Sequence, residues 1–230
     1  MTDLSPTQTT TPITEVPDWR YLLREFYEMY RFMSSGGSKP IRAHQRSVRE
    51  AINRVLNAKP QVVLPAPEAL PVTAHLTRAL SEGYAGATAP MVRTLASVSS
   101  DLVWRYGYDR MPRGLARSYG YAEIAGPRGP VITNEVILGV VLFAPGCTYP
   151  AHAHEGITES YVCLSGAVSE NNHGVYAPGS MIYNPPGTVH RITVSDNEPA
   201  LLAYAWTGSA DRLTANDMKL SPRRKPTTRG

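Results

Sequence analysis

The stretch GCTYPAHAHEGITESYVCLSG, residues 146–166, decides the reading of this chain, and GSMIYNPPGTVH, residues 179–190, completes it. His152 and His154 stand two apart. In a strand, residues i and i+2 leave the same face, so both imidazoles reach one point, whereas a helix would turn them apart. Glu155-Gly156 supplies a bend, after which Glu159, Tyr161 and Cys163 form a second same-face series running to Ser165-Gly166. Pro185-Pro186-Gly187 marks the next turn, and the strand opened by Thr188 puts His190, Ile192 and Val194 on one face. His152, His154, Glu159 and His190 can therefore close around one divalent ion. Neutral nitrogen donors mixed with one hard anionic oxygen suit iron, zinc, manganese, nickel or cobalt better than calcium or magnesium. Metal chemistry is the function to expect.

The two segments resemble the two cupin motifs, the first complete from Gly146 to Gly166 and the second from Gly179 to His190. Val194 departs from the pattern, which often has asparagine there, and it is not a ligand. The likeness covers about residues 130 to 207. It implies a mainly β fold, a cupin antiparallel β-barrel or jelly roll with the metal inside, and a tight middle hairpin because the block between the motifs is short. Cupins host many chemistries, so the fold alone names no reaction. A narrower likeness rests on Glu159-Ser160-Tyr161, on Trp206 beyond His190, and on a long helical N-terminal extension. Together these resemble the bacterial dimethylsulfoniopropionate lyases of the cupin superfamily, and the chain length is similar to that of the DddL type.

That resemblance implies a carbon–sulfur lyase with a small-molecule substrate, dimethylsulfoniopropionate, and one divalent transition metal as cofactor. The ion would bind the substrate carboxylate as a Lewis acid while Tyr161, as phenolate, removes the α proton, so that dimethyl sulfide leaves and acrylate remains. Strand alternation sets Tyr161 beside the ligand Glu159, and a nearby cation favours the phenolate. The plain alternative for Tyr161 is a packed ring with a satisfied hydroxyl. Tyr149, Tyr183, Tyr204 and Trp206 are the candidates for the substrate pocket, because aromatic faces recognise a cationic sulfonium. Two other functions stay open: a cupin dioxygenase using the same three-histidine and glutamate iron site, and a non-catalytic cupin that binds a small ligand. Cys147 and Cys163 bracket the first motif and read as soft ligands, a redox pair or ordinary buried thiols. His44, His75 and His173 fall on no metal-ligand spacing.

With 230 residues, 42% of them hydrophobic, and a net charge of +4, the chain can bury a substantial core and exceeds a minimal barrel. Residues 1–17 are rich in Thr and Pro and read as a disordered arm, not a signal peptide. Residues 18–103 read as a helical extension. Asp18 is a candidate cap for a stripe of Trp19, Leu22, Leu23, Phe26, Tyr30 and Met33 that Gly36-Gly37 ends. Val48, Ile52, Val55 and Leu56 mark a second helix closing near Lys59-Pro60, and the stripes Leu76 to Leu80 and Met91 to Leu102 mark two more. These faces form a lid or dimer surface, or pack on the outer wall of the barrel. The barrel itself is expected over 104–213, with strands at Val103 to Tyr108, Arg117 to Ile124, Glu135 to Phe143 and Ala200 to Trp206. A basic tail, 214–230, carries Arg223-Arg224-Lys225 without interleaved aromatics and reads as solvated, not as a nucleic-acid contact. No apolar run approaches the roughly twenty residues of a membrane helix. The expectation is a soluble cytoplasmic enzyme with no nucleic-acid or membrane partner, its helical surface allowing a homodimer.

Overall fold

The structure, a computed structural model, describes residues 10–108 and 111–215. Its N-terminal part runs β1 (Thr10–Pro12), α1 (Pro17–Phe32), α2 (Lys39–Ala58), β2 (Gln61–Val63), α3 (Leu76–Gly83), α4 (Ala89–Ser97) and α5 (Arg113–Ser118). There follow β3 (Tyr119–Gly126), β4 (Val131–Ile132), β5 (Ile137–Phe143), β6 (Thr148–His152), β7 (Ile157–Ser165) and β8 (Val168–Glu170). The chain closes with β9 (Val175–Tyr176), β10 (Met181–Asn184), β11 (His190–Val194), β12 (Ala200–Gly208) and α6 (Ala210–Thr214).

The strands form two sheets, an eight-stranded one in the order β1-β2-β4-β3-β5-β12-β7-β10 and a four-stranded one in the order β6-β11-β8-β9. All pairings are antiparallel except the short β3–β4 contact. Both sheets contribute to one buried cluster, with Val141, Phe143, Tyr161, Leu202 and Tyr204 from the large sheet meeting Tyr149, Ile192 and Val194 from the small one. This is the jelly-roll sandwich of a cupin. The opposite side of the large sheet is apolar too. Leu138, Val140 and Leu142 of β5, Ala203 and Ala205 of β12, and Val162 and Leu164 of β7 join Leu22, Leu23, Phe26, Val48 and Ile52 of the helices in a second cluster. Strands buried on both faces read as continuous apolar runs, which is why β5 is ILGVVLF with no polar alternation. Gly139 breaks that run for a reason of space. A Cβ there would collide with the Tyr204 hydroxyl and the Ala122 carbonyl.

Helix ends follow local chemistry. Ser38 caps α2 by accepting from the Ile41 amide, and Lys59 ends it in the left-handed conformation at φ 48°. Asp18, expected as the cap of α1, lies inside the first turn. Pro17 opens that helix, since its fixed φ suits the first position and its missing N–H would have had no partner.

Other expectations are corrected here. Part of the arm drawn over residues 1–17 is ordered: Thr10–Pro12 pairs with β2, and Ile13 is buried at 1% exposure with its amide on the Pro60 carbonyl. One buried isoleucine and a short ladder are enough to fix a Thr/Pro-rich segment that shows no periodicity. Val103 to Tyr108 is not a strand but makes single bridges, Glu68 with Val103 and Arg105 with Tyr121. Residues 1–9 of the arm and 216–230 of the basic tail lie outside the described residues, and Thr214 belongs to α6.

Candidate metal centre

Four side chains converge between the two sheets. His152 closes β6, and His190 opens β11 directly opposite it in the register, with an irregularity between His190 and Ile192. His154 follows in the turn, where Gly156 at φ 71° reverses the chain into β7. Glu159 then faces inward from β7, paired across the ladders with Trp206 and Asn184. The ligand atoms of His152, His154, Glu159 and His190 all lie within 4.8 Å of one another, and all four residues are buried.

The imidazoles are aimed. His152 Nδ1 lies 2.9 Å from the Pro150 carbonyl and His190 Nδ1 lies 3.0 Å from the Thr188 carbonyl. A carbonyl cannot donate, so each Nδ1 carries a proton and each ring turns its Nε2 inward. The Nε2 atoms of His152, His154 and His190 are buried with no hydrogen-bond partner. His190 Nε2 stands 2.8 Å from Glu159 Oε2; burial works against the charged ring, but the contact with the Glu159 carboxylate outweighs it and raises His190 above the ordinary histidine value. A buried polar atom left unpaired costs about 1–3 kcal/mol, and imidazole nitrogens turned to one point beside a carboxylate make sense as donors to a cation. The residues fit a metal ion.

Burial first, then the neighbouring rings, holds His152 down to about 3, so it stays a neutral donor. Burial lowers His154 likewise. Burial disfavours the Glu159 carboxylate, but the surrounding imidazoles outweigh it and keep the group below the usual carboxylate range.

Around the ligands, the inner face of the large sheet supplies a polar frame. The Trp206 indole N–H donates to Glu159 Oε1 at 2.7 Å while its ring packs 4.4 Å from that of His154. Tyr161 is buried, two residues along β7 from Glu159, and its ring centroid is 6.2 Å from that of His190. Burial and the adjacent carboxylate push its phenol well above the ordinary tyrosine range. Tyr204 lies across the ladder from Tyr161 and packs 5.8 Å from Trp206. Tyr149 stands edge-on to His152, its hydroxyl accepting from Tyr108 and donating to Tyr119.

Tyr183 is the exception among the sequence candidates. It sits on β10 between the inward residues Ile182 and Asn184, so its ring emerges on the helical side, 5.5 Å from His44. A period of two allows no compromise. Cys147 and Cys163 are free buried thiols outside the ligand cluster, and burial followed by Glu198 pushes Cys163 to about 12.

Several residues were not found from the sequence. Asn184 donates to Glu170 Oε1 at 2.8 Å and reaches Glu159 Oε2 at 3.5 Å, linking a second buried carboxyl to the ligand. Its place just before the Pro185 turn, two residues from Ile182, was the available signal. Tyr108 and Tyr119 come from segments with no motif. His44 continues the stripe of Val48, Ile52 and Val55 on α2, a polar residue on an apolar face.

Fold and site together define a cupin whose buried three-histidine, one-glutamate cluster fits a metal ion. Residues 43–202 match the family model of dimethylsulfoniopropionate lyase. A protein of Cereibacter sphaeroides, provisionally named dimethylsulfoniopropionate lyase DddL, is 54% identical over 213 residues, spanning 93% of this chain and 92% of that one. The chain belongs to the dimethylsulfoniopropionate lyase family. In fold it is similar to a crystal structure from work on the lyases RdDddP and RnDddQII, with TM-score 0.66, 22% identity, 90% of this chain and 99% of the other. It is also similar to the lyase DddQ of Ruegeria pomeroyi, with TM-score 0.63, 20% identity, 84% of this chain and 92% of the other. Among the described residues no helix is long and apolar enough to cross a membrane.

Proposed function

We propose that this chain is a metal-dependent carbon–sulfur lyase that cleaves dimethylsulfoniopropionate to dimethyl sulfide and acrylate. The observation that carries the reading is the buried quartet, its ligand atoms within 4.8 Å, with the buried Tyr161 beside it. Family membership names the substrate. His152, His154, Glu159 and His190 hold one divalent transition ion, for which imidazole-rich sites are suited. When bound, the ion supplies a Lewis acid for the substrate carboxylate and the positive charge that offsets Glu159 beside Tyr161.

The chain's own residues do the rest. Tyr161, once its proton is lost, accepts the α proton of the substrate at its phenolic oxygen. The C–H electron pair forms the new double bond as the β carbon–sulfur bond breaks, and sulfur departs with that bond's pair as neutral dimethyl sulfide. Trp206 fixes the carboxylate of Glu159 through its N–H, and Trp206, Tyr204 and Tyr149 offer aromatic faces to the sulfonium. Burial of the whole set excludes water from the reacting carbon.

The test is headspace detection of dimethyl sulfide, with acrylate assayed alongside, from purified protein loaded with defined first-row metals under nitrogen. Equal amounts of both products without oxygen are expected. No product with any of these metals would remove the lyase reading, and product only in air would point to oxygen chemistry.

A further inference from the structure

The outer face of β7 carries a polar network with no part in the chemistry just described. Ser160 is fully buried against the helical layer, with Ala205 and Tyr183 as its partners in the ladders. An alanine would suit that environment. Instead the Ser160 hydroxyl meets two side chains from two helices: Tyr30 of α1 at 2.7 Å and His44 Nε2 of α2 at 2.8 Å. His44 Nδ1 in turn lies 3.3 Å from Thr207 Oγ1 on β12. The rings of Tyr30 and Tyr183 flank the imidazole, with centroids at 6.2 and 5.5 Å.

One arrangement of protons uses each donor once: Tyr30 to Ser160, Ser160 to Nε2, and Nδ1–H to Thr207. It needs a neutral imidazole, and burial supplies that by holding His44 down to about 4. The network is therefore uncharged and fully paired along its length, the condition under which a buried polar chain makes the surrounding structure rigid.

Its place in the ladders is informative. Ser160 lies between the ligand Glu159 and the base Tyr161, and Thr207 follows Trp206, whose N–H holds Glu159. Glu159 and Trp206 are themselves register partners. Each hydroxyl held by the helices on the outer face is thus one residue from a group that touches the Glu159 carboxylate on the inner face. A small rotation of the backbone at Ser160 or Thr207 would carry directly into the metal centre, where geometry must hold within roughly 0.5 Å.

We propose that Tyr30, His44 and Thr207 form a positioning network that acts through the Ser160 hydroxyl to fix the backbone bearing Glu159, Tyr161 and Trp206, so that the helical layer sets the geometry of the metal centre. The inference rests on the assignment of Glu159 as ligand and Tyr161 as base.

The experiment uses the full chain loaded with cobalt(II), whose visible absorption reports ligand geometry directly. Ser160→Ala and His44→Ala should keep one cobalt per chain but shift its absorption bands, and should lower kcat by about 10- to 100-fold, the usual size of outer-shell effects, with a smaller change in KM. His44→Gln, whose amide can still reach Ser160, should recover part of both. Val48→Ala, on the same helix and in the same apolar cluster, measures simple loss of packing: it should lower the melting temperature while leaving bands and kcat as in the parent. If Ser160→Ala does not fold, Thr207→Val, which removes only the outermost link, takes its place with the same expected band shift. Bands and kcat unchanged in the network variants, or moved equally by Val48→Ala, would overturn the proposal. A parent that binds cobalt but makes no dimethyl sulfide would sink the lyase reading alone and leave the band comparison valid. A parent that binds no cobalt would overturn both.

Discussion

At the residue scale, strand parity in the spacing is what pointed to the candidate metal ligands. Glu159 and Tyr161, two apart on β7, and His190 behind a Pro-Gly turn keep strand parity, whereas β6 ends at His152 and His154 lies past it in the turn, so the same-strand reading of that pair does not hold. The same parity excludes Tyr183, whose neighbours Ile182 and Asn184 take the inner face. His44 was illegible for the opposite reason, since its partner Ser160 is 116 residues away and no spacing announces it. Replacing any one of His152, His154, Glu159 or His190 by alanine should lower bound metal and turnover together, read by metal analysis and product assay. Full metal in all four variants would dismiss the assignment. Tyr161→Phe keeps the ring but removes the oxygen proposed to accept the α proton, so metal should stay while kcat falls by about 10² to 10⁴. Turnover near that of the parent would strip Tyr161 of its role. Trp206→Phe should do more than weaken substrate binding. It keeps an aromatic face but withdraws the 2.7 Å donor from Glu159, so metal affinity or kcat should drop by about 10- to 100-fold, and a change confined to KM would assign Trp206 to the substrate alone.

At the element scale, the helices were read well from their stripes and the strands less evenly. The Val48, Ile52 and Val55 spacing found α2, and its end at Lys59-Pro60 came from the proline. The segment Val103 to Tyr108 has strand-like residues, yet only isolated bridges form there, because pairing depends on a neighbour that sequence does not name. β1 escaped notice since its ladder is set by β2 far along the chain. α2 also brings a pH dependence. The folded chain holds His44 down to about 4 from 6.5, while the unfolded chain titrates at the higher value. Between those limits the unfolded state binds the extra proton, so the stability contributed by neutral His44 is complete above pH 6.5 and is lost as pH falls toward 4. The melting temperature of the parent should therefore drop more steeply over that window than that of His44→Gln. Parallel curves would show that residue 44 does not titrate on unfolding.

At the scale of the whole molecule, the helical layer packs on the outer wall of the large sheet, the plainer of the two roles its apolar faces suggested. Leu22 and Phe26 are fully buried there with β5 and β12 residues. Leu22→Ala should cost about 2–5 kcal/mol, measured by denaturant unfolding, and a cost under 1 kcal/mol would mean that α1 is only loosely attached. The ligand set has a different reach. Glu159 belongs to the large sheet, while His152 and His190 belong to the small one, whose strands β6, β11, β8 and β9 have no ladder to the other among the described residues. An ion held by the proposed ligands would thus be a rivet through two leaves that no ladder joins there. Withdrawing it with a chelator should leave the helix-backed leaf closed while the small leaf begins to breathe, and deuterium should enter the amides of β6 and β11 well before those of β5 and β12.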